Sequence, residues 1–381
     1  MFRDIIDYVK SLYPRKEFIS LHEPLFIGNE RRYVSEAIDS TFVSSVGKFV
    51  DRFENEFCKY VGGERAIVTS NGTSALHAGL HVLGVGFNDE VLTQALTFVA
   101  TSNAITYCGA WPVFIDSDIK TMGMSPVVLK QFLLENAVLR DGCCYNKKTG
   151  RAIKACIPMH VFGHPVQITK IVSICDEYNI PVLEDAAESV GSTFNDRQTG
   201  LFGKIGVYSF NGNKIITSGG GGLIITKDVE LGKKIKHLTT TAKVPHAWDF
   251  FHDEVGFNYR MPNLNAAFAL GQLEMLNSFI DNKRQLAGLY REYFKKKGIQ
   301  FVDEPEGAKS NFWLNAIVLD SREQRDIFLM ETNKSSVMTR PIWRLMSDLP
   351  MYKNCQTTDL ECAKYLEDRV VNLPSSVRNL F

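Results

Sequence analysis

The sequence lacks an excess of charge of either sign, and it lacks any apolar run long enough to cross a membrane. Its 381 residues include 43 lysines and arginines against 43 aspartates and glutamates, so the formal net charge is zero. No basic cluster forms the footprint that a nucleic acid requires, and no apolar run approaches the roughly 20 residues of a membrane-spanning helix. The sequence therefore predicts neither a nucleic-acid partner nor a membrane partner.

Metal-binding patterns are also missing. The eight cysteines include no CxxC pair, and His77 and His81, four apart on a predicted helix, have neither a third ligand nor an HExxH signature. We therefore expect no metal cofactor. A chain of this length needs no disulfides to hold its fold, so we expect reduced thiols and a cytoplasmic location. Residues 1–16 mix acidic, basic and apolar side chains, which is not the pattern of a secretory signal.

The composition that remains is that of an ordinary globular protein, with 45% hydrophobic and 23% charged residues. From residue 65 onward, short β-branched runs alternate with helical stretches. This alternation predicts βαβ units and a mostly parallel sheet covered by helices. The predicted strands are RAIVTS, EVLTQ, PVFIDSD, AIKACIPMH, PVLEDAAE and VYSF.

The alternation stops near residue 245. A long amphipathic stretch that begins LNAAFALGQLEML follows, and after it come FWLNAIVL, the helical REQRDIFLMET and VVNLPSS. This order predicts a connecting helix and a smaller α+β domain. We therefore divide the chain into an N-terminal helical extension (1–20), a large α/β domain (21–245) and a C-terminal part with the connecting helix and the small domain (246–381).

Polar residues follow several predicted strands, where open α/β sheets bind their ligands. The segment NGTS at 71–74 opens a helix, whose free N–H groups and positive dipole end suit a phosphate. A helix cap without a ligand is the alternative. Asp185 follows Glu184 near the end of another strand, and because side chains alternate along a strand, the two carboxylates are predicted to face opposite ways.

Lys214 lies in SFNGNKIITSGGGGLIIT, between two short β-like runs. A glycine-rich hairpin with a solvated lysine is one interpretation of this segment alone. A phosphate site, a buried acid and a lysine at strand ends of one sheet favour another, the binding of pyridoxal 5'-phosphate (PLP). PLP forms a Schiff base with lysine, carries a phosphate, and has a ring nitrogen that needs an acidic partner. Lys214 is then also the group that moves the substrate proton.

Five motifs in the same order resemble the DegT/DnrJ/EryC1/StrS family of PLP-dependent nucleotide-sugar aminotransferases: NGTSALHAGL, ALTFVAT, PVLEDAAES, SFNGNK and GFNYRMPNLNAAFALGQLE. The resemblance extends from about residue 20 to the C-terminus. It implies an α/β fold of the fold-type I aminotransferase class, with a large domain around a mostly parallel central sheet and a smaller C-terminal α+β domain. It also implies PLP as cofactor, with a nucleotide sugar and L-glutamate as substrates.

The resemblance assigns roles to individual residues. Lys214 matches the catalytic Schiff-base lysine, and Asp185 matches the partner of the ring nitrogen. Phe98 matches the aromatic that stacks on the ring, and Glu188 matches the residue near its phenolic oxygen, where many relatives have glutamine. Asn258 matches the asparagine that reaches the phosphate of a neighbouring subunit, which implies a homodimer with shared active sites. The remaining matches, all in the phosphate cradle, are Gly72, Thr73, Ser74 and Ser209.

Further segments bear on the substrate, namely HEPLFIGNERRYVSEAIDSTFVSSVGKFVDRFE and LTQALTFVATSNAITYCGAWPVF. They resemble enzymes that aminate C4 of UDP-4-keto-6-deoxy-N-acetylglucosamine and give UDP-4-amino-4,6-dideoxy-N-acetylglucosamine. GDP-perosamine synthases, which act on GDP-4-keto-6-deoxymannose, share nearly the same motifs and are the alternative. One departure is the glycine run at 219–222, because many relatives have glutamate at the position of Gly220.

Three further interpretations stay open at this point. A non-catalytic sensor of the same fold carries a DNA-binding head, for which residues 1–20 are too short and too neutral. A dehydratase of this fold replaces the lysine with histidine, whereas Lys214 is present. An amino-acid aminotransferase needs arginine clamps for a second carboxylate, and Arg260 and Arg340 are candidates for that role or for binding glutamate.

His160 is the last candidate near the substrate. It directly follows a predicted strand beside the expected ring site, so we predict that it supports Asp185 from beside the cofactor. Together with Arg260 and Arg340, it completes the predicted substrate-binding set.

Overall fold

The computed structural model describes residues 2–14 and 16–378. Residues 1, 15 and 379–381, which belong to the predicted N-terminal extension and the predicted C-terminal domain, lie outside the described residues. The α-helices are α1 (Arg3–Leu12), α2 (Glu30–Asp39), α3 (Lys48–Val61), α4 (Gly72–Val82), α5 (Val99–Tyr107), α6 (Pro126–Asn136), α7 (Ile168–Asp176), α8 (Val229–Thr239), α9 (Asn263–Lys297), α10 (Arg322–Lys334) and α11 (Glu361–Arg369). Short 3-10 helices are Val161–Gly163, Met346–Asp348 and Pro350–Tyr352.

The strands are shorter than the sequence predicts, and there are more of them. They are β1 (Arg65–Thr69), β2 (Glu90–Gln94), β3 (Trp111–Ile115), β4 (Ala137–Arg140), β5 (Cys143–Asn146), β6 (Ile153–Ile157), β7 (Leu183–Asp185), β8 (Thr193–Phe194), β9 (Arg197–Gln198), β10 (Ile205–Ser209), β11 (Gly222–Thr226), β12 (Gln300–Phe301), β13 (Ala308–Lys309), β14 (Asn315–Val318), β15 (Arg340–Pro341) and β16 (Val370–Leu373).

The large sheet has the strand order β3–β2–β6–β7–β10–β11–β1. Strands β3, β2 and β6 pair in parallel, as do β7 and β10, and single parallel bridges at Cys156–Val182 and Met159–Asp185 connect β6 with β7. Strand β11 runs antiparallel to both β10 and β1. The predicted mostly parallel sheet is therefore confirmed, with one reversed strand next to its edge.

Helices cover both faces of this sheet, which is why its central strands are buried along their whole length. Every residue of β2 and of β10 is buried. On one face, apolar residues of α4, α5 and α8 belong to one core cluster with Val207 of β10. On the other face, Phe53 and Phe57 of α3 make edge-to-face contacts with aromatic rings that include Tyr208, the next residue of β10.

Two hairpins were not predicted from the sequence. Strands β4 and β5 form one, and β8 and β9 form the other, to which β13 adds. Their turns are Asp141-Gly142 and Asn195-Asp196, and both residues of each turn have positive φ. Asp-Gly is among the strongest short-range signals for such a two-residue turn, so the first hairpin was visible in the sequence and was missed.

A second, antiparallel sheet of order β12–β14–β16–β15 follows the 35-residue helix α9. Asp116, directly after β3, accepts hydrogen bonds from the backbone N–H groups of Cys362 and Ala363 at 3.0 and 2.8 Å. Those N–H groups belong to the first turn of α11, where they have no partner within the helix. A carboxylate of the large sheet thus caps a helix of the C-terminal part.

The N-terminal helix α1 also packs on the C-terminal part of the chain. Phe2 and Val9 join the apolar cluster that contains Tyr290 and Phe294 of α9. The domain boundaries at residues 20 and 245 stay predictions. Among the residues that the structure describes, no helix is both long and apolar enough to span a membrane.

Lys283 lies in α9 and is completely buried. Its ammonium group donates a hydrogen bond to the carbonyl oxygen of Ser375, and burial lowers the pKa of Lys283 from 10.5 to about 7. Between these two pH values the unfolded chain holds a proton that the folded chain has lost. The free energy of unfolding therefore rises with pH across this window. Below the window, the buried charge of Lys283 lowers the free energy of unfolding by its full amount.

We expect Lys283→Met to remove this contribution to the pH dependence of stability. The free energy of unfolding, measured by urea denaturation between about pH 6.5 and 9, should rise less steeply in the variant than in the unaltered protein. Lys295→Met, which replaces an exposed lysine of the same helix, is the control and should keep the original slope. An unchanged slope in Lys283→Met would contradict the assignment.

Candidate active site

A pocket of about 330 Å³ opens at the carboxyl ends of β1, β7 and β10. Its walls bring together most of the residues predicted from the sequence, namely Gly72, Thr73, Phe98, Asp185, Glu188, Ser209 and Lys214. A larger surface groove of about 670 Å³ between α6 and α7 contains none of them. The predicted site residues are therefore concentrated in the smaller pocket.

Lys214 lies on the loop between β10 and β11, and its amine is held inside the pocket. The Nζ atom is 3.1 Å from Oε1 of Glu188 and 3.9 Å from the centre of the Trp313 ring. Only 13% of the lysine side chain is exposed. The lysine is thus an enclosed amine with a carboxylate partner rather than a solvated surface charge.

Glu188 and Asp185 are buried carboxylates on the same side of the pocket floor. Glu188 Oε2 accepts a hydrogen bond from the backbone N–H of Phe162 at 2.9 Å. Asp185 Oδ2 accepts one from the Thr101 hydroxyl at 2.7 Å, and Oδ1 accepts one from the backbone N–H of Ala187 at 3.2 Å. Burial raises the pKa of both carboxyls, although the charge of Lys214 acts in the opposite direction.

Glu184 points away from the pocket, as the alternation along β7 predicts. It accepts hydrogen bonds from the backbone N–H groups of Gly200, Phe202 and Gly203 at 2.6 to 2.8 Å. It also lies 3.1 Å from Nε2 of His160. Glu184 therefore fixes the loop before β10 and has no place in the pocket wall.

The side chain of His160 does not contact Asp185. Both ring nitrogens are used elsewhere, because Nδ1 accepts a hydrogen bond from the backbone N–H of Val166 at 3.2 Å and Nε2 faces Glu184. The link to Asp185 is made by the backbone instead, with His160 N–H donating to the Asp185 carbonyl oxygen at 3.1 Å. His160 thus braces the neighbouring strand from behind the pocket.

The predicted phosphate cradle forms the opposite wall. Asn71 caps α4, and its Oδ1 accepts a hydrogen bond from the backbone N–H of Ser74 at 2.8 Å. Gly72 and Thr73 line the pocket beside Ser209, whereas Ser74 lies one step behind and takes a hydrogen bond from Ser70. The start of a long helix, with hydroxyl groups around it, suits a phosphate group.

The donor set fits PLP. A helix start suits the phosphate, a buried carboxylate suits the ring nitrogen, and an enclosed lysine suits the aldehyde carbon. Phe98 lies at the pocket wall with 49% of its surface exposed, so an aromatic face is available for a flat ring. These four features come from separate elements that meet only in the folded sheet.

Besides Ser74 and His160, the predicted residues Arg340, Arg260 and Asn258 are not among the residues that line this pocket. Arg340, on β15, is exposed, and it donates hydrogen bonds to Asn333 and to its neighbour Thr339. Arg260 donates to Oδ1 of Asn258 at 3.0 Å, outside the pocket wall. Lys214 is the one cationic side chain of the described pocket lining, so this wall supplies no arginine clamp.

Two tryptophans of the pocket lining were not predicted to lie there. The sequence placed neither Trp343 nor Trp313 in the pocket, and Trp313 lies in FWLNAIVL, which has the pattern of an ordinary strand. Trp343 packs against Phe162 and Phe98, and both tryptophans line the pocket. Nothing in their local sequence distinguishes them from core residues.

Comparison with known proteins identifies the family of the chain. A model of the DegT/DnrJ/EryC1/StrS aminotransferase family matches residues 26–379. GDP-perosamine synthase of Escherichia coli O157:H7 is 34% identical over 359 residues, which cover 94% of this chain and 93% of that protein. UDP-N-acetyl-3-dehydro-alpha-D-glucosamine 3-aminotransferase of Acidithiobacillus ferrooxidans is 28% identical over 338 residues, 88% of this chain and 85% of that protein.

The fold is also that of a solved aminotransferase. The crystal structure of TlmJ from Streptoalloteichus hindustanus superposes with a TM-score of 0.85 at 25% identity, covering 94% of this chain and 93% of that one. The chain belongs to the DegT/DnrJ/EryC1/StrS aminotransferase family, and it is a PLP-dependent sugar aminotransferase of fold type I.

Proposed function

We propose that the enzyme transfers an amino group from L-glutamate to C4 of GDP-4-keto-6-deoxymannose, giving GDP-perosamine. The observation that supports this substrate is the similarity to GDP-perosamine synthase along almost the whole chain, which exceeds the similarity to the UDP-sugar aminotransferase. UDP-4-keto-6-deoxy-N-acetylglucosamine is the second candidate, because the segments at 22–54 and 92–114 resemble enzymes that use it.

Each pocket residue has a role in this proposal. Gly72, Thr73 and Ser209 would hold the cofactor phosphate, with Asp185 facing the ring nitrogen and Phe98 facing the ring. Bound PLP supplies an electron-withdrawing ring that stabilises the negative charge left when the substrate loses a proton. The amine of Lys214 takes that proton and returns it.

Glu188 supports the proton transfer by Lys214. Its Oε1 lies 3.1 Å from Nζ, within hydrogen-bond distance, and its other oxygen is fixed by the backbone of Phe162. A carboxylate held in this way can keep the amine oriented while the proton moves. Thr101 and Ala187 hold Asp185 in the same manner, so both acids are fixed before any substrate enters.

The substrate assignment can be tested by product analysis. The purified enzyme, with PLP and L-glutamate, is incubated separately with the GDP-4-keto-6-deoxymannose and UDP-4-keto-6-deoxy-N-acetylglucosamine substrates, and the amino sugars are quantified by mass spectrometry. We expect amination of the GDP substrate. In Lys214→Ala the rate of amination should fall at least about a hundredfold, because the proton-transfer group is removed.

Amination of the UDP substrate alone would transfer the assignment to the second candidate. If the PLP-loaded enzyme still consumes glutamate but aminates neither substrate, both sugars are rejected. Full activity of Lys214→Ala would reject the role of the lysine itself.

The glycine run offers a matched test of the cradle. A Cβ atom on Gly222 would lie 2.4 Å from the Asn71 carbonyl oxygen and 2.7 Å from the Gly72 nitrogen, whereas a Cβ atom on Gly220 would have no neighbour within 4 Å. The first position has no room for a side chain because the backbone of the cradle passes beside it. The second position is free of such a constraint.

We therefore expect Gly222→Ala to displace the cradle and weaken PLP binding by roughly tenfold or more, since a backbone shift of this size disturbs several hydrogen bonds at once. Gly220→Ala is the control and should bind PLP as the unaltered protein does. The dissociation constant is measured by fluorescence titration of the cofactor-free protein. Equal affinities for the two variants would show that the cradle does not hold the cofactor.

We also propose that the enzyme is a homodimer in which Asn258 completes the site of the partner. Asn258 lies at the base of a hairpin that spans residues 240–258 and is closed by bridges at Thr240–Asn258 and Lys243–His252. The hairpin tip exposes Trp248 and Phe250 by 82% and 75%. Two large aromatic side chains exposed next to each other favour a protein partner.

A complementation experiment tests this arrangement. Lys214→Ala and Asn258→Ala are each expected to have low activity, because each substitution impairs both active sites of its own homodimer. After the two are mixed, dissociated and reassociated, half of the dimers are hybrids with one intact site, so about a quarter of the original activity should return. Activity that stays at the level of the separate variants would contradict a shared site.

A further inference from the structure

Trp313 reaches the pocket from the C-terminal part of the chain, on the loop that precedes β14. Asn311 locks this loop in place, because its Nδ2 donates to the carbonyl oxygens of Glu188 and Val190 at 3.0 and 2.9 Å. Its Oδ1 accepts a hydrogen bond from the backbone N–H of Trp313 at 2.8 Å. The tryptophan is thus anchored to the same segment that carries Glu188.

The side chain of Trp313 makes two different contacts with the lysine loop. Its Nε1–H donates to the carbonyl oxygen of Asn213 at 2.7 Å, and Asn213 immediately precedes Lys214. The ring face lies 3.9 Å from Nζ of Lys214, a distance at which an aromatic ring attracts a cation. One residue therefore holds both the backbone next to the lysine and the charged end of its side chain.

The amine of Lys214 is enclosed between two groups that both attract a cation. The Glu188 carboxylate lies on one side at 3.1 Å, and the electron-rich ring of Trp313 supports it on another. The remaining titratable groups near it are Asp185, on the pocket floor, and His22, whose pKa is well below its usual value because the ring is buried. His22 is thereby neutral and adds no competing charge.

We propose that Trp313 is a positioning residue for Lys214, and that it holds the ε-ammonium beside Glu188 through its ring face while it fixes the lysine backbone through its indole N–H. This inference rests on Lys214 as the reacting amine proposed above. It links the C-terminal part of the chain to the chemistry, because a shift of the loop at 310–314 moves the group that supports the lysine. No bond is made or broken by Trp313 itself.

The position of the amine can be measured directly in the cofactor-free, full-length protein. Lys214 is labelled with an amine-specific acylating reagent at fixed pH, and the rate is followed by peptide mass spectrometry. Trp313→Leu removes both contacts, and Trp313→Phe keeps a ring face but removes the indole N–H. Trp343→Leu makes the same chemical change in the same pocket without touching Lys214, and it serves as the control.

We expect Lys214 to be labelled roughly tenfold faster in Trp313→Leu and roughly threefold faster in Trp313→Phe, because the ring face stabilises the charged amine and the indole N–H holds the backbone that carries it. Trp343→Leu should label at the original rate. Original rates in both Trp313 variants would overturn the proposal, and so would an equal acceleration in Trp343→Leu, which would indicate a general loosening of the pocket.

Steady-state kinetics of the PLP-loaded enzyme add a second readout. In Trp313→Phe, kcat should fall while KM for the sugar and for glutamate stays within about twofold, since the residue acts on the lysine and not on substrate binding. A rise in KM without a fall in kcat would place Trp313 in substrate binding and overturn the positioning role. The labelling result depends on no substrate, so it stands or falls separately from the sugar assignment.

Discussion

The alternation of side chains along β7 is the constraint on which the site depends. It sends two adjacent carboxylates to opposite faces of the sheet, so that Glu184 ties down the loop before β10 while Asp185 faces the pocket. A shift of one residue in the pairing of β7 would exchange the two and place the wrong acid in the pocket. The pairing with β10 and the bridge to β6 together prevent that shift.

The charges of the pocket follow from this arrangement. Two buried carboxylates and one ammonium group share a small volume, and each acid accepts hydrogen bonds from backbone or hydroxyl donors. Burial opposes the ionisation of both acids, and the lysine favours it. The wall of this pocket therefore carries little positive charge besides Lys214.

The parts of the site that the sequence predicted are those that follow directly from strand ends. Asp185, Lys214 and the cradle at 71–74 lie next to predicted strands, and parallel strands bring their carboxyl ends to one edge. Arg260 and Arg340 do not line the pocket, because nothing in their neighbourhood specified the direction of their side chains. His160 does follow a strand, but its ring turns toward Glu184 instead. Trp313 was missed for a related reason, since the fold of a distant loop decides where it points.

The secondary structure was likewise predicted in part and missed in part. The sequence predicted the parallel strands well, because burial on both faces requires continuous apolar runs, but it missed the reversal of β11. An apolar run carries no information about strand direction. The hairpin at Asp141-Gly142 is different, because its turn signal was present and only the interpretation failed.

The close approach of Gly222 to the cradle has a consequence for folding. The backbone of β11 forms one side of the loop at Asn71 and Gly72, so residues far apart in the sequence must pair before that loop has its final shape. Such long-range pairing is slow to form, because a large loop of chain must close first. Cofactor bound to this site therefore stabilises only molecules in which β11 has already docked between its neighbours.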